Sequence, residues 1–165
     1  MEVYKLKSEE WQVYKNLRLE ALQQVPVAFG ASYEESMRMT NDEWRGKLEN
    51  PKSHVFVARD GDDYVGMAAA YQEQGEKMAH IGYIWGVYVR DTYRGQKLGK
   101  QLLQAVLDEL MSNKEIEKVN LNVNVAQLAA VKLYETFGFQ IAGTLHKEMK
   151  IGNEYIDEYV MERIF

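Results

Sequence analysis

The sequence contains no cysteine and only two prolines among its 165 residues. Without cysteine the chain has no disulfide, no thiolate metal site and no cysteine nucleophile, and it needs no oxidising compartment. The longest apolar run, residues 81–89, is too short to span a bilayer. The start of the chain has no apolar stretch after its charges, which argues against a signal peptide. We therefore expect one cytoplasmic domain over residues 1–165, with no membrane partner.

Basic side chains are fewer than acidic ones, and the net charge of −5 makes nucleic acid a poor partner. The charge is unevenly distributed. Residues 90–100 contain four basic side chains and one acidic side chain, a local charge of +3 that leaves −8 on the remainder. A basic cluster on an acidic protein indicates either an anion site or a solvated basic surface.

Hydrophobic periodicity predicts several helices. Ser8 is expected to cap a helix that ends before Pro26. A second helical stretch is expected over residues 32–39. Leucine and valine recur at helical spacing over residues 96–112 and give one apolar face. Residues 127–137 predict a further helix that a glycine closes.

Strand patterns alternate with these helices. Residues 79–90 predict a long strand that Gly82 and Gly86 interrupt, which indicates a bulge or backbone open to a ligand. Residues 119–125 alternate strictly and predict a strand with one buried face. A hairpin over residues 139–164 closes the chain. The order predicts an α/β domain, with a mixed sheet and helices on both faces.

The basic cluster joins a strand end to a helix start. A helix N-terminus offers unpaired N–H groups and a positive dipole end, and Gly95 and Gly99 allow backbone to approach a ligand. With Arg94, Lys97 and Lys100 the segment is suited to a multiply charged phosphate, and a solvated basic first helical turn is the alternative interpretation. It is not a Walker A loop, because three residues instead of four separate its glycines. The dinucleotide fingerprint is also absent.

The segment from Arg94 to Gly99 resembles the acyl-CoA pyrophosphate loop of the GCN5-related N-acetyltransferase (GNAT) superfamily, Gln/Arg-x-x-Gly-x-Gly/Ala after a Val-x-Val strand end. Arg94 and Gly99 match this pattern, and Lys97 replaces its middle glycine. The chain is also similar to the family's helix motif, and the matching residues there are Ala130, Tyr134, Gly138 and Phe139. Gln127 stands where asparagine is common. The resemblance covers residues 54–165 best.

The resemblance implies a single-domain fold with a mostly antiparallel central sheet whose strands splay apart at the CoA site. It implies acetyl-CoA as co-substrate and no metal. The pantetheine arm would pair with strand backbone, and the pyrophosphate would lie on the basic loop. The cofactor-binding residues implied in this way are Val87, Tyr88, Val89, Arg94, Gly95, Gln96, Lys97, Leu98, Gly99, Lys100 and Gln127.

The resemblance further implies direct acetyl transfer to a primary amine through a ternary complex. A thioester is already activated, so positioning, a base for the amine and an acid for the thiolate are sufficient. Tyr134 is implied as the acid, because a phenol with a pKa of about 10 is protonated at neutral pH. Packing of a helix on the sheet is the alternative interpretation of this tyrosine.

The base is less clearly marked. Many relatives use a glutamate on the strand before Val87. The positions expected here on the same face as Val87 are Ile81, Tyr83 and Trp85, and none of them is a carboxylate. We expect Tyr83 to hold a water that relays the proton. More remote candidates are His80, Glu34, Glu35, Asp157 and Glu158.

The acceptor is expected to be an amine, either a small molecule or a protein amino group. The acidic remainder of the chain favours a cationic acceptor such as a polyamine or an aminoglycoside. The apolar C-terminal residues, among them Ile164 and Phe165, are compatible with a homodimer. A non-catalytic acyl-CoA-binding module is the alternative function, since Lys97 and the missing strand carboxylate depart from the enzyme pattern. A donor longer than acetyl also stays open.

Overall fold

A computed structural model describes all 165 residues. The seven strands are β1 (Glu2–Lys5), β2 (Ser53–Asp60), β3 (Asp63–Gln72), β4 (Ile81–Val89), β5 (Lys118–Asn124), β6 (Gln140–Ile151) and β7 (Glu154–Ile164). The five α-helices are α1 (Trp11–Gln24), α2 (Tyr33–Met37), α3 (Asn41–Glu49), α4 (Leu98–Ser112) and α5 (Leu128–Thr136). The strands form one sheet in the order β1-β2-β3-β4-β5-β7-β6, antiparallel except between β4 and β5. This is the expected α/β architecture. No helix has both the length and the apolar content needed to cross a membrane.

Helices cover both faces of the sheet because strand residues alternate between two apolar layers. In β2, Val55 and Val57 pack toward α1 and α3, whereas Phe56 and Ala58 pack toward α4. The predicted apolar stripe of α4 is fully buried and consists of Leu98, Leu102, Leu103, Val106, Leu107 and Leu110. Each buried leucine contributes about 1.5–3 kcal/mol of transfer free energy. The stripe therefore fixes the start of α4 firmly against the sheet.

A bulge in β4 changes which side chains share a face. Gly86 has a φ of 65°, and the pairing with β3 shifts register between Met67 and Ala69. Ile84 packs in the α4 layer and Trp85 in the α1 layer, whereas beyond the bulge Val87 and Val89 pack in the α4 layer. The expectation that Tyr83 and Trp85 continue the face of Val87 is therefore wrong, because one extra residue inverts the alternation.

One predicted helix start is wrong, and another lies two residues further along the chain than expected. Ser8 does not cap α1, because residues Ser8–Glu10 form a 3₁₀ turn in which Glu10 accepts the Lys7 N–H at 2.9 Å. The helix predicted from residue 96 begins at Leu98, because Lys97 adopts a left-handed φ of 63°. Such a φ is uncommon for residues other than glycine and is incompatible with a regular α-helix, so the helix begins after Lys97.

The parallel strands β4 and β5 separate soon after they meet. They pair at Ile81, Gly82 and Tyr83 only, while β5 stays paired with β7 along its whole length. Beyond Tyr83, one edge of β4 consequently has no partner strand. The implied splay is confirmed, and it opens a cleft between the strands.

Candidate active site

A cleft of about 900 Å³ lies where β4 and β5 diverge. Its walls are the end of β4, the loop that leads into α4, and helix α5. The predicted residues that line it are Val87, Tyr88, Val89, Arg94, Gly95, Lys97, Leu98, Gly99, Lys100, Gln127 and Tyr134. Gln96 is the one predicted cofactor-binding residue outside this lining, and its side-chain amide lies 3.5 Å from the Thr92 carbonyl. The fold thus gathers residues from three separate elements into one cleft.

The loop before α4 presents a row of unused donors. None of the backbone N–H groups from Gly95 to Lys100 donates to an acceptor within the chain. Gly95 and Lys97 both have positive φ, 79° and 63°, a left-handed conformation that also occurs in the backbone concavities whose N–H groups bind anions. A helix N-terminus adds the positive end of its dipole. The arrangement fits a pyrophosphate group.

Ion pairs redistribute the charge of the basic cluster. Arg90 forms a bidentate pair with Glu20 of α1, with N–O distances of 2.7 and 2.8 Å, and this pairing lowers the pKa of Glu20. Arg94 pairs with Asp91 at 2.7 Å on the exposed surface, where such a pair is readily exchanged. The Arg90–Glu20 pair therefore links the end of β4 to α1. Lys97 and Lys100 are the basic side chains of the cluster that have no carboxylate partner.

Tyr134 lies on α5 with 7% of its surface exposed. Its ring packs edge-on against Phe139, with centroids 6.2 Å apart, and it also lines the cleft. Burial alone raises the pKa of its hydroxyl. The phenol therefore stays protonated at neutral pH and can donate a proton or a hydrogen bond into the cleft.

A second cavity of about 950 Å³ adjoins the cleft. The residues common to both are Ala28, Phe29, Ile84, Trp85, Gly86 and Asn122. Tyr83 lines the second cavity instead of the first and stacks on Tyr71 at 5.3 Å. Burial, together with Tyr71 and nearby carboxylates, raises the pKa of Tyr83 to about 12. The two cavities meet at the bulge of β4.

Glu158 is the buried carboxylate of the second cavity. It is 8% exposed, and burial raises its pKa although a hydrogen bond from Asn122 opposes the shift. Asp157 is not part of this cavity lining. Its carboxylate accepts the Lys147 N–H at 2.8 Å and contacts His146 at 3.0 Å, and the two contacts lower the pKa of Asp157. The sequence marks both acids only as remote candidates, because the strand register that buries Glu158 opposite Asn124 is not visible locally.

Comparison with known proteins decides the family. The model of the acetyltransferase (GNAT) family matches residues 5–139. The chain belongs to the GNAT family. An L-amino acid N-acetyltransferase, AaaT of Escherichia coli, is 25% identical over 122 residues, 73% of this chain and 75% of that protein.

Solved structures agree on the fold. A GNAT acetyltransferase from Streptococcus pneumoniae superposes with a TM-score of 0.84 at 19% identity, covering 99% of each chain. A putative acetyltransferase from Salmonella typhimurium, yncA, solved with its cofactor acetyl-CoA, gives a TM-score of 0.81 at 14% identity and covers 99% of this chain and 93% of that one. The chain is accordingly an N-acetyltransferase. No cluster of three or more His, Cys, Asp or Glu side chains is placed to hold a metal ion.

Proposed function

We propose that this GNAT enzyme moves the acetyl group directly from acetyl-CoA to a primary amine while both substrates are bound. The observation that supports the proposal most strongly is the junction of two cavities, of about 900 and 950 Å³, at the bulge of β4. Each cavity is large enough for a substrate of its own. Because the two cavities meet, a thioester in one and an amine in the other can react directly, and no covalent enzyme intermediate is needed.

The donor occupies the cleft between β4 and β5. Its pyrophosphate accepts hydrogen bonds from the N–H groups of Gly95 to Lys100, and its pantetheine arm lies along the unpaired edge of β4 at Val87 and Val89. This places the acetyl group near Gly86. A backbone N–H of the bulged strand would then stabilise the oxyanion that forms on the carbonyl.

The proposal assigns the two proton transfers to two side chains. Tyr134 donates a proton to the departing thiolate from the cleft side. Glu158, whose pKa burial raises, accepts the proton of the amine from the other cavity. Tyr83 holds its own proton, because its pKa is about 12, and it orients a water between the amine and Glu158.

Thiol release from acetyl-CoA, measured against a panel of amino acids, polyamines, aminoglycosides and peptides, tests the proposal. We expect turnover with at least one amine, at a rate that depends on the amine concentration. Tight acetyl-CoA binding without turnover on any amine would contradict the proposal and would establish the alternative, a non-catalytic acyl-CoA-binding module. Cytoplasmic location and a homodimer stay predictions, and light scattering measures the latter.

A further inference from the structure

Arg18 of α1 is a buried cation without a counter-ion. The residue is 8% exposed, and its guanidinium lies over the rings of Phe29 and Trp85, 4.8 and 5.1 Å from their centroids. Its Nη1 has no hydrogen-bond partner, and the side chain forms no ion pair with a carboxylate. A buried guanidinium does not lose its charge, so an unpaired one is costly unless a ligand supplies the anion.

Arg18 lies in the second cavity, beside the expected reaction centre. A Cβ added to Gly86 would be 3.7 Å from its Nη1, so the guanidinium contacts the bulge that the two cavities share. Glu34, Glu148, Glu158 and the exposed Lys150 also line this cavity. The cavity thus presents one buried cation and several acids, which complements a ligand that carries both an anionic and a cationic group.

We propose that Arg18 binds the carboxylate of the acceptor and that the acceptor is a free α-amino acid. This inference rests on the proposed acetyl transfer. In an α-amino acid the carboxylate and the amine share one carbon, so a carboxylate held at Arg18 keeps the amine beside Gly86. A polyamine offers no anion to Arg18, and a peptide N-terminus has an amide in place of the free carboxylate.

Arg18 is a binding residue in this scheme and undergoes no covalent change. The amine nitrogen bonds to the thioester carbonyl carbon, and the carbon–sulfur bond breaks. The amine proton goes to Glu158, and the thiolate takes a proton from Tyr134. Solvent then takes the proton from Glu158 and returns one to Tyr134, which restores both groups. The products are an N-acetyl amino acid and CoA, and the carboxylate stays paired with Arg18 throughout.

The first test compares each amino acid with its own carboxamide. L-alanine, L-leucine and L-phenylalanine are assayed beside alaninamide, leucinamide, phenylalaninamide and spermine at saturating acetyl-CoA. We expect kcat/KM to be about 10- to 100-fold higher for the free acids, the range of a hydrogen bond to a charged group. Amides or spermine that react as well as the acids would overturn the inference while leaving acetyl transfer intact.

Variants separate a binding role from a structural one. Arg18→Gln should reduce the ratio of kcat/KM for the free acid to kcat/KM for the carboxamide to near one. Arg18→Lys keeps the charge but loses the two parallel N–H donors of the guanidinium, so it should retain part of this ratio. The matched control is Arg45→Gln, because Arg45 also stacks on an aromatic ring, 5.5 Å from Trp11, but lies outside both cavities. If Arg18→Gln slows acids and amides equally, Arg18 only supports the fold and the inference fails.

A binding measurement works without turnover. Calorimetry titrates N-acetyl-L-leucine and N-acetyl-L-leucinamide into the CoA-bound enzyme and into its Arg18→Gln variant. We expect at least tenfold tighter binding of the acid by the wild type and no preference in the variant. This result together with an inactive amine panel would support the Arg18 site and contradict the acetyl transfer. Equal binding of the two probes would overturn the inference whatever the enzyme's activity.

Discussion

Removal of the Tyr134 hydroxyl is expected to lower kcat while leaving the free energy of unfolding nearly unchanged. Tyr134→Phe keeps the ring that packs on Phe139 at 6.2 Å and removes only the oxygen. Burial is the sole cause of its raised pKa, so no internal hydrogen bond is lost. We therefore expect the free energy of unfolding to change by less than about 1 kcal/mol.

The effect on the rate is expected to be larger. General acid catalysis contributes about 10²- to 10⁴-fold, and a thiol with a pKa near 8.5 is already a fair leaving group. The expected loss in kcat is consequently near the low end, about 100-fold, or ~2.7 kcal/mol of activation free energy. The KM for acetyl-CoA should change little, because the hydroxyl is not part of the pyrophosphate loop.

The assay is thiol release followed from pH 6 to 10 for both enzymes. Because burial raises the pKa of Tyr134, its proton-donating form persists to higher pH. Loss of this proton should therefore cause no decrease of the wild-type kcat at any pH up to 10. Tyr64→Phe is the control, since it removes a hydroxyl that contacts Tyr4 at 3.2 Å and lies outside both cavities. A Tyr134→Phe kcat within threefold of wild type would refute the role as acid.

Three further predictions concern the base and the loop. Glu158→Gln should lower kcat/KM at least tenfold and remove the acidic limb of the pH profile; a preserved limb would assign the base elsewhere. Gly99→Asp should raise the KM for acetyl-CoA at least tenfold, because it adds a negative charge beside the phosphates and a side chain near Leu133 and Val89; an unchanged KM would contradict the phosphate site. Lys97→Gly should raise the free energy of unfolding by up to about 1 kcal/mol in urea titrations, since it relieves a φ of 63°, while weakening acetyl-CoA binding through the lost charge; lower stability would contradict this.

Local periodicity predicts the elements well where one helix or hairpin determines its own pattern. The apolar stripe of α4 and the closing hairpin of β6 and β7 follow from side-chain spacing within short stretches of the chain. The GNAT motifs likewise imply that Tyr134 and the basic loop belong to one site, and both line the cleft between β4 and β5. These features depend on short stretches of sequence, so the sequence alone contains them.

Features that depend on distant partners could not be predicted in this way. The bulge at Gly86 moves Tyr83 to a different face from Val87, and the Glu20–Arg90 pair neutralises one cation of the basic cluster. The burial of Glu158 depends on the register of β7 against β5, and that of Arg18 depends on packing between Phe29 and Trp85. Each of these contacts joins residues that no local pattern connects.

Initial-velocity kinetics with both substrates varied test the central claim most directly. If acetyl-CoA and the amine occupy adjoining cavities together, double-reciprocal lines at several fixed amine concentrations should intersect. Parallel lines, together with an acetylated enzyme isolated in the absence of amine, would show a covalent intermediate and contradict direct transfer.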